Sequence, residues 1–470
     1  MNASVDLSSS SFYDKVYGCW MGKNCGGTLG TPLEKGIGEP DPFDVWWYPK
    51  LQDGGIPNDD LEMQLVWLKA FEVHGRALTA HHLAQYWLNH IGYNWDEYGW
   101  ARMNLRLGLL PPLSGSYNNW FKDCMGCPIR SEIFACVAPG LPRLAARYAF
   151  QDAIVDHAGG ESVYGELFNT AIQSSAFLVS DLEELLDIGR SYVPEGTKTA
   201  LAIDAARRAH DAGLDWKSAR RKVLEATPHY NSQYSPINMG FQTIGLLYGH
   251  DFAESLCIAV NCGYDTDCTG ATVGAILGII HGNNGLPAKW TEPLGDVIAT
   301  NESWGGLRHC SEGGSPIPKN LGELTDRTLA VARVISAGYT PSRDALHADD
   351  SIRALWTTPA TRVSFSLGTF DAAIDYGEGP VAVPETSRQI QTLLTNTTPV
   401  AQTVHCAITL PVGWKAPTEQ TVEIPAHGER SVDWTLPIPS SSRLENSNGL
   451  FLQISAPQQV APLSAPVPLI

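Results

Sequence analysis

Several things are scarce in this sequence. It has no apolar run of membrane-spanning length, and its opening, MNASVDLSSSSFYDKVYG, carries neither a basic region nor an apolar stretch. No membrane span or secretory leader is expected there, and a cytoplasmic enzyme is the default expectation. Positive charge is in deficit: 32 Lys and Arg stand against 50 Asp and Glu, a formal net charge of -18. Nucleic acid or an anionic membrane would be repelled as a general partner, whereas an acidic cleft suits cations. Ten cysteines in 470 residues do not make a disulfide framework, and Cys19, Cys136 and Cys257 lie in contexts where a reduced, buried thiol is expected. Cys124 and Cys127 form a CxxC with no second pair and no histidines at zinc spacing, which reads as coincidence. No Gly-Lys-Ser/Thr closes the glycine-rich turn near residue 26, so a P-loop is excluded. That turn does not follow a strand either, so a dinucleotide fold is also set aside.

What is present centres on NCGYDTDCTGATVGAILGIIHG, Asn261 to Gly282. Asp265 and Asp267 are two residues apart. On a regular helix they would diverge by about 200°, whereas on a bent turn both converge on one point. Behind them, Gly270, Gly274 and Gly278 recur every fourth residue among Val273, Ile276, Leu277 and Ile279. This pattern predicts a central, buried helix that a neighbouring backbone approaches closely. One aspartate would suffice to cap it.

A second acidic turn, Asn58-Asp59-Asp60, opens another predicted helix on whose face Leu61, Leu65 and Leu68 align. Together Asn58, Asp59, Asp60, Asp265 and Asp267 offer hard oxygen ligands of the kind Mg²⁺ or Ca²⁺ takes. Gathered without a cation, four carboxylates would repel, and some would stay protonated. Ahead of both turns, Gly22, Gly26, Gly27 and Gly30 allow close backbone approach, and Glu34 follows them. The glycines serve either tight helix packing or a backbone-lined pocket for phosphate or sugar hydroxyls.

Three motifs now coincide: GKNCGGTLGTPLEKG from Gly22 to Gly36, Asn58-Asp59-Asp60, and Asp265-Thr266-Asp267-Cys268. In order and separation they resemble the ADP-ribosylglycohydrolase family, over roughly residues 12 to 335. The resemblance implies an all-helical hydrolase whose matching positions hold two magnesium ions beside the ribose of an ADP-ribosyl group, with Ca²⁺ or Mn²⁺ as other candidates. It implies metal ligation by Asn58, Asp59, Asp60, Asp265 and Asp267, with Cys268 or Thr269 completing one shell. It also places Glu34 as general acid or base, with Asp59 and Asp265 in the catalytic set. Three positions depart from the pattern: Gly27 stands where the family often has aspartate, and Asn58 and Cys268 stand where it has hydroxyl side chains. A neutral thiol is a poor ligand for a hard cation.

The first third is rich in aromatics. Trp46 to Tyr48 and Tyr93 to Trp100 are mixed with Gly, Pro, Asn and Asp, which predicts loops whose rings either stack on a sugar or pack. Gly26, Gly27, Trp46, Trp47, Trp95 and Tyr234 are the candidate substrate contacts. Arg130 and Glu132 are cleft residues or an ordinary ion pair, and His157 is a cleft histidine or a helix C-cap.

Length and pattern predict a helical domain over residues 1–340, a linker over 341–360 and a β-sandwich over 361–470. The last rests on short alternating runs: RVSFS at 362, QTLL at 391, TVHCAITL at 403, TVEI at 421, SVDWTL at 431 and LFLQI at 450. It resembles accessory immunoglobulin-like domains of bacterial sugar-acting enzymes, and bracing or dimerisation is its expected role. The expected function is metal-dependent hydrolysis of a glycosidic bond at a ribose-like anomeric carbon, in a small-molecule or protein-linked substrate. The alternatives are the same fold acting on an ordinary carbohydrate or nucleoside, and a sugar-binding protein without catalysis.

Overall fold

The computed structural model describes residues 5–311, 316–415, 417, 419–457 and 459–470. The described chain forms two compact units, one of residues 5–99 and 120–357 and one of residues 100–119 and 358–470. The first is helical and the second holds all eight strands.

The helical unit is built on one helix pair. The first helix, Ser10–Gly30, starts where the Ser9 hydroxyl accepts from the Phe12 N–H at 3.1 Å. It gives way to a single turn of 3₁₀ helix, Thr31–Leu33, where Pro32 lacks the N–H that the helix needs. The glycine-striped helix runs Thr266–His281 and is buried from Thr266 to Ile279. A Cβ on Gly18, Gly22 or Gly26 would overlap the carbonyl oxygen of Gly278, Gly274 or Gly270 respectively. One residue number climbs by four as the other falls by four, so the helices run antiparallel with their backbones in direct contact. This geometry brings the end of the first helix, and therefore Glu34, beside Asp265 and Asp267 at the start of the second.

A third helix, Asp59–His74, begins at the other acidic turn and is buried from Asp60 to Phe71. Among the described residues no helix is long and apolar enough to cross a membrane. All ten cysteines are buried and free.

The second unit contains two four-stranded antiparallel sheets, here numbered β1 (Arg362–Ser366), β2 (Phe370–Asp375), β3 (Ser387–Asn396), β4 (Gln402–Thr409), β5 (Gln420–Ile424), β6 (Glu429–Pro437), β7 (Phe451–Ser455) and β8 (Leu463–Pro466). Their orders are β1-β2-β3-β6 and β5-β4-β7-β8. Strand alternation buries Val432, Trp434 and Leu436 on β6 and Val404, Cys406 and Ile408 on β4 in one shared core, together with Leu109 and Leu113. The Trp434 indole N–H donates to the Thr392 hydroxyl at 3.0 Å, which satisfies the one polar atom of that buried side chain.

Candidate functional site

Two turns of unusual chemistry meet at the helix pair. Gly263 and Tyr264 both have left-handed backbones, φ 78° and 65°, a conformation that a non-glycine residue adopts at a cost of about 1–2 kcal/mol. Tyr264 is held there by its N–H to Glu39 at 2.9 Å and its hydroxyl to the His229 carbonyl at 3.2 Å. The turn sets Asp265 at the N-cap and Asp267 in the first helical turn. The two carboxylates thus straddle the helix start, where the 200° of an ideal helix does not apply. Asp265 makes no side-chain capping bond, and neither does Asn58 at the N-cap of its own helix. Capping therefore does not account for either side chain.

Glu34, Asp59, Asp265, Asp267 and Cys268 line one cleft with Trp95, Asp96, Glu97, Tyr98, Met125, Gly126, Ile129 and Gln233. Its volume of about 310 Å³ suits a sugar-sized ligand. Among the described lining residues there is no lysine or arginine.

The residues present fit a divalent cation. Oxygens of Glu34, Asp265 and Asp267 lie within 4.8 Å of one another, as do ligand atoms of Asp60, Asp267 and Cys268. Asp265 and Asp267 are 2% and 5% exposed, yet Oδ1 of each is buried without a hydrogen-bond partner, a state that folded proteins avoid. Burial, then Asp59 and Asp60, push the Glu34 carboxyl up to about 7. Burial, then Glu34 and Asp59, push Asp267 up to about 8. Burial, reinforced by Glu34 and Asp267, holds Asp265 well above the usual carboxylate range. Without a cation this group keeps protons at neutral pH, and a bound cation displaces them.

Asp59 is half-buried and accepts the Tyr98 hydroxyl at 2.8 Å; burial raises its carboxyl despite that bond. Trp95, 41% exposed, is the candidate aromatic that lines the cleft. The other candidate substrate contacts do not line it. Gly26 serves the helix contact with Gly270, and Trp47 packs against Tyr48 and Trp290 with ring centroids 4.9 and 4.8 Å away. The Trp46 indole N–H donates to Asp44 at 2.7 Å, and Tyr234 stacks on His229 at 4.1 Å. Thr269 turns its hydroxyl to the Thr266 carbonyl at 3.2 Å. Gly27 and Asn58 are coupled, since a Cβ on Gly27 would stand 2.8 Å from the Asn58 amide nitrogen. The side chain missing at one position makes room for the larger one at the other.

Sequence reading did not single out Asp96, Glu97, Gln233 or Lys23. Glu97 ends a buried chain of charges. Arg130 pairs with Asp152 at 2.8 Å and Asp156 at 2.9 Å, and His157 lies 2.9 Å from Asp156 and 3.5 Å from Glu97. Burial opposes the imidazolium, but Asp156 and Glu97 outweigh it and raise His157 to about 9. Arg130 and Glu132 are fully buried and belong to separate ion pairs, Arg130 with Asp152 and Asp156 and Glu132 with Lys23, and His157 is a buried helix C-cap.

Residues 8–313 match the sequence profile described as ADP-ribosylglycohydrolase. An uncharacterized protein of Archaeoglobus fulgidus is 29% identical over 179 residues, 37% of this chain and 55% of that protein; the chain spans about half the length of this curated relative. A solved chain of an ADP-ribosylglycohydrolase-related protein complex is 19% identical, covers 70% of this chain and 98% of its own length, and superposes with a TM-score of 0.40.

Proposed function

The chain belongs to the ADP-ribosylglycohydrolase family, and from that premise we propose that it is a metal-dependent hydrolase of a glycosidic bond at a ribose-like anomeric carbon. One observation carries the reading: Glu34, Asp265 and Asp267 bring oxygens within 4.8 Å of one another in a sugar-sized cleft, and Asp265 and Asp267 each hold a buried oxygen without a partner. Glycosidic cleavage passes through an oxocarbenium-like transition state, so it needs an oriented sugar, an activated water and negative charge near the anomeric carbon. Asp265 and Asp267, with Glu34 beside them, would hold the cation. Bound there, it supplies a grip on a vicinal diol and a more acidic water.

The chain's own groups do the rest. Glu34, which lines the cleft beside the aspartates that would hold the cation, takes the proton from the attacking water. Asp59, which lines the cleft and accepts the Tyr98 hydroxyl at 2.8 Å, is the carboxyl that serves the leaving group. The remaining carboxylates stabilise the positive charge that develops on the sugar. Trp95 offers a ring face to the sugar and Gln233 an amide to its hydroxyls.

A second reading, an ordinary carbohydrate or nucleoside as substrate, is favoured by the lack of any described lysine or arginine in the lining. A pyrophosphate would meet six carboxylates and no lysine or arginine among the described lining residues. Product release from ADP-ribosyl-arginine, ADP-ribosyl-serine and aryl pentosides and hexosides, with Mg²⁺ and with chelator, separates the two. Metal-dependent release of ADP-ribose supports the first, and turnover of neutral glycosides alone supports the second. Cation-dependent sugar binding without turnover of any substrate would reject catalysis.

A further inference from the structure

The two candidate cation positions are not equivalent, and the difference lies in a residue behind the cleft. Lys23 stands on the first helix, one residue after Gly22 of the helix contact, and is 1% exposed. Its ammonium donates to the Ile129 carbonyl at 2.9 Å, pairs with Glu132 at 3.1 Å and lies 3.7 Å from Asp60 Oδ2. Asp60 Oδ2 is an ion-pair partner of the ammonium that accepts no hydrogen bond itself. Glu132 is itself fixed by amide donors from Gln64 at 2.8 Å and Gln173 at 3.0 Å, so the ammonium sits in a prepared seat.

Asp60 thus already faces a cation on one oxygen. Its other oxygen accepts from the Cys268 thiol at 3.5 Å, a contact that requires the sulfur to keep its proton rather than act as a ligand. The group of Asp60, Asp267 and Cys268 therefore has a protein charge on one carboxylate oxygen, a thiol hydrogen on the other, and a soft third donor. Each group holds buried carboxylate oxygens without a hydrogen-bond partner, but in the group of Glu34, Asp265 and Asp267 all donors are carboxylates and none pairs with a protein cation among the described residues. A divalent ion at the first group would be held close to an ammonium that cannot withdraw into solvent.

We propose that this chain binds one divalent cation, in the group of Glu34, Asp265 and Asp267, and that the Lys23 ammonium takes the place of a second at Asp60. This rests on the metal-dependent reading above but concerns stoichiometry rather than turnover. Lys23 stabilises by position, as a fixed charge between Asp60 and Glu132, and Asp60 becomes a partner of the lysine rather than a ligand.

The test is the number of Mn²⁺ ions bound per chain, measured by equilibrium dialysis with Mn²⁺ as the probe and read by the spin-resonance signal of the free ion. The wild-type chain should saturate at one. Lys23→Met frees Asp60 while leaving Glu132 its two amide donors, and should gain a second, weaker Mn²⁺; Lys23→Arg keeps the charge and should stay at one. Two ions on the wild-type chain would overturn the inference and leave metal-dependent hydrolysis standing. No bound ion would overturn both. A folded Lys23→Met that still binds one would show that the ammonium is not what excludes the second. If that variant does not fold, the wild-type count decides.

Discussion

Glu34 is half-buried just past the 3₁₀ turn that follows the first helix, beside an acidic group and lining the cleft. Glu34→Gln keeps the shape and removes the proton acceptor. At saturating Mg²⁺ its turnover is expected to fall by about 10²–10⁴-fold, the usual contribution of a positioned acid or base. Far-UV circular dichroism should be unchanged, and turnover within a few-fold of wild type would remove Glu34 from the reaction. Protons and cation compete for the same oxygens. Glu34 and Asp267 have been raised to about 7 and about 8, so they are largely protonated at pH 6 and largely ionised at pH 9. Apparent Mg²⁺ affinity should therefore climb as pH rises through that window, as calorimetric titration at several pH values would record. Affinity independent of pH between 6 and 9 would mean that these carboxylates are not the ligands.

The helix pair is what puts Glu34 beside Asp265 and Asp267, and it tolerates no side chain at its contact. Gly22→Ala places a Cβ on the Gly274 carbonyl. Overpacking of this kind costs about 1–3 kcal/mol, and with main chain on both sides the upper end is expected. Denaturant unfolding should show a lower midpoint, and cation binding should weaken because the carboxylates move with the helices. Unchanged stability would mean that the backbones do not touch. This element was legible beforehand because a four-residue glycine period has few other uses in an apolar helix. The paired acidic turns were legible because capping needs one carboxylate and the sequence supplies several. Trp46, Trp47 and Tyr234 were not separable from Trp95 by type, since each is an aromatic on a mixed loop, and only tertiary placement sorts cleft from packing. Lys23 was hidden by its neighbours, one of two lysines in a glycine-rich helix whose partners lie 37 and 109 residues away. In the second unit, β2 (Phe370–Asp375) and β8 (Leu463–Pro466) were missed. FDAAID is weak in β-branched residues and LSAP ends in proline, so pairing with neighbours rather than propensity makes them strands.

Across the whole molecule the raised carboxylates act in one direction. Glu62, fully buried with the Tyr93 hydroxyl at 2.7 Å and the Asn301 N–H at 2.9 Å, joins them at about 8, chiefly through burial. Each binds its proton more tightly folded than unfolded. Their contribution is complete below the ordinary carboxylate range and is lost as pH rises through about 7–8. Cation-free protein should therefore lose thermal stability between pH 5 and 9. A cation at 100 times its dissociation constant should restore about 2.7 kcal/mol, and its effect on the melting temperature should be larger at pH 8 than at pH 6. The most direct measurement of the central claim is sugar release by metal-stripped protein during stepwise return of Mg²⁺, for the wild-type chain and Asp267→Asn on the fastest substrate of the panel. The account predicts no release in chelator, release that grows with bound Mg²⁺ in the wild type, and at most a trace in Asp267→Asn. Full-rate release in chelator, or by Asp267→Asn, would contradict it.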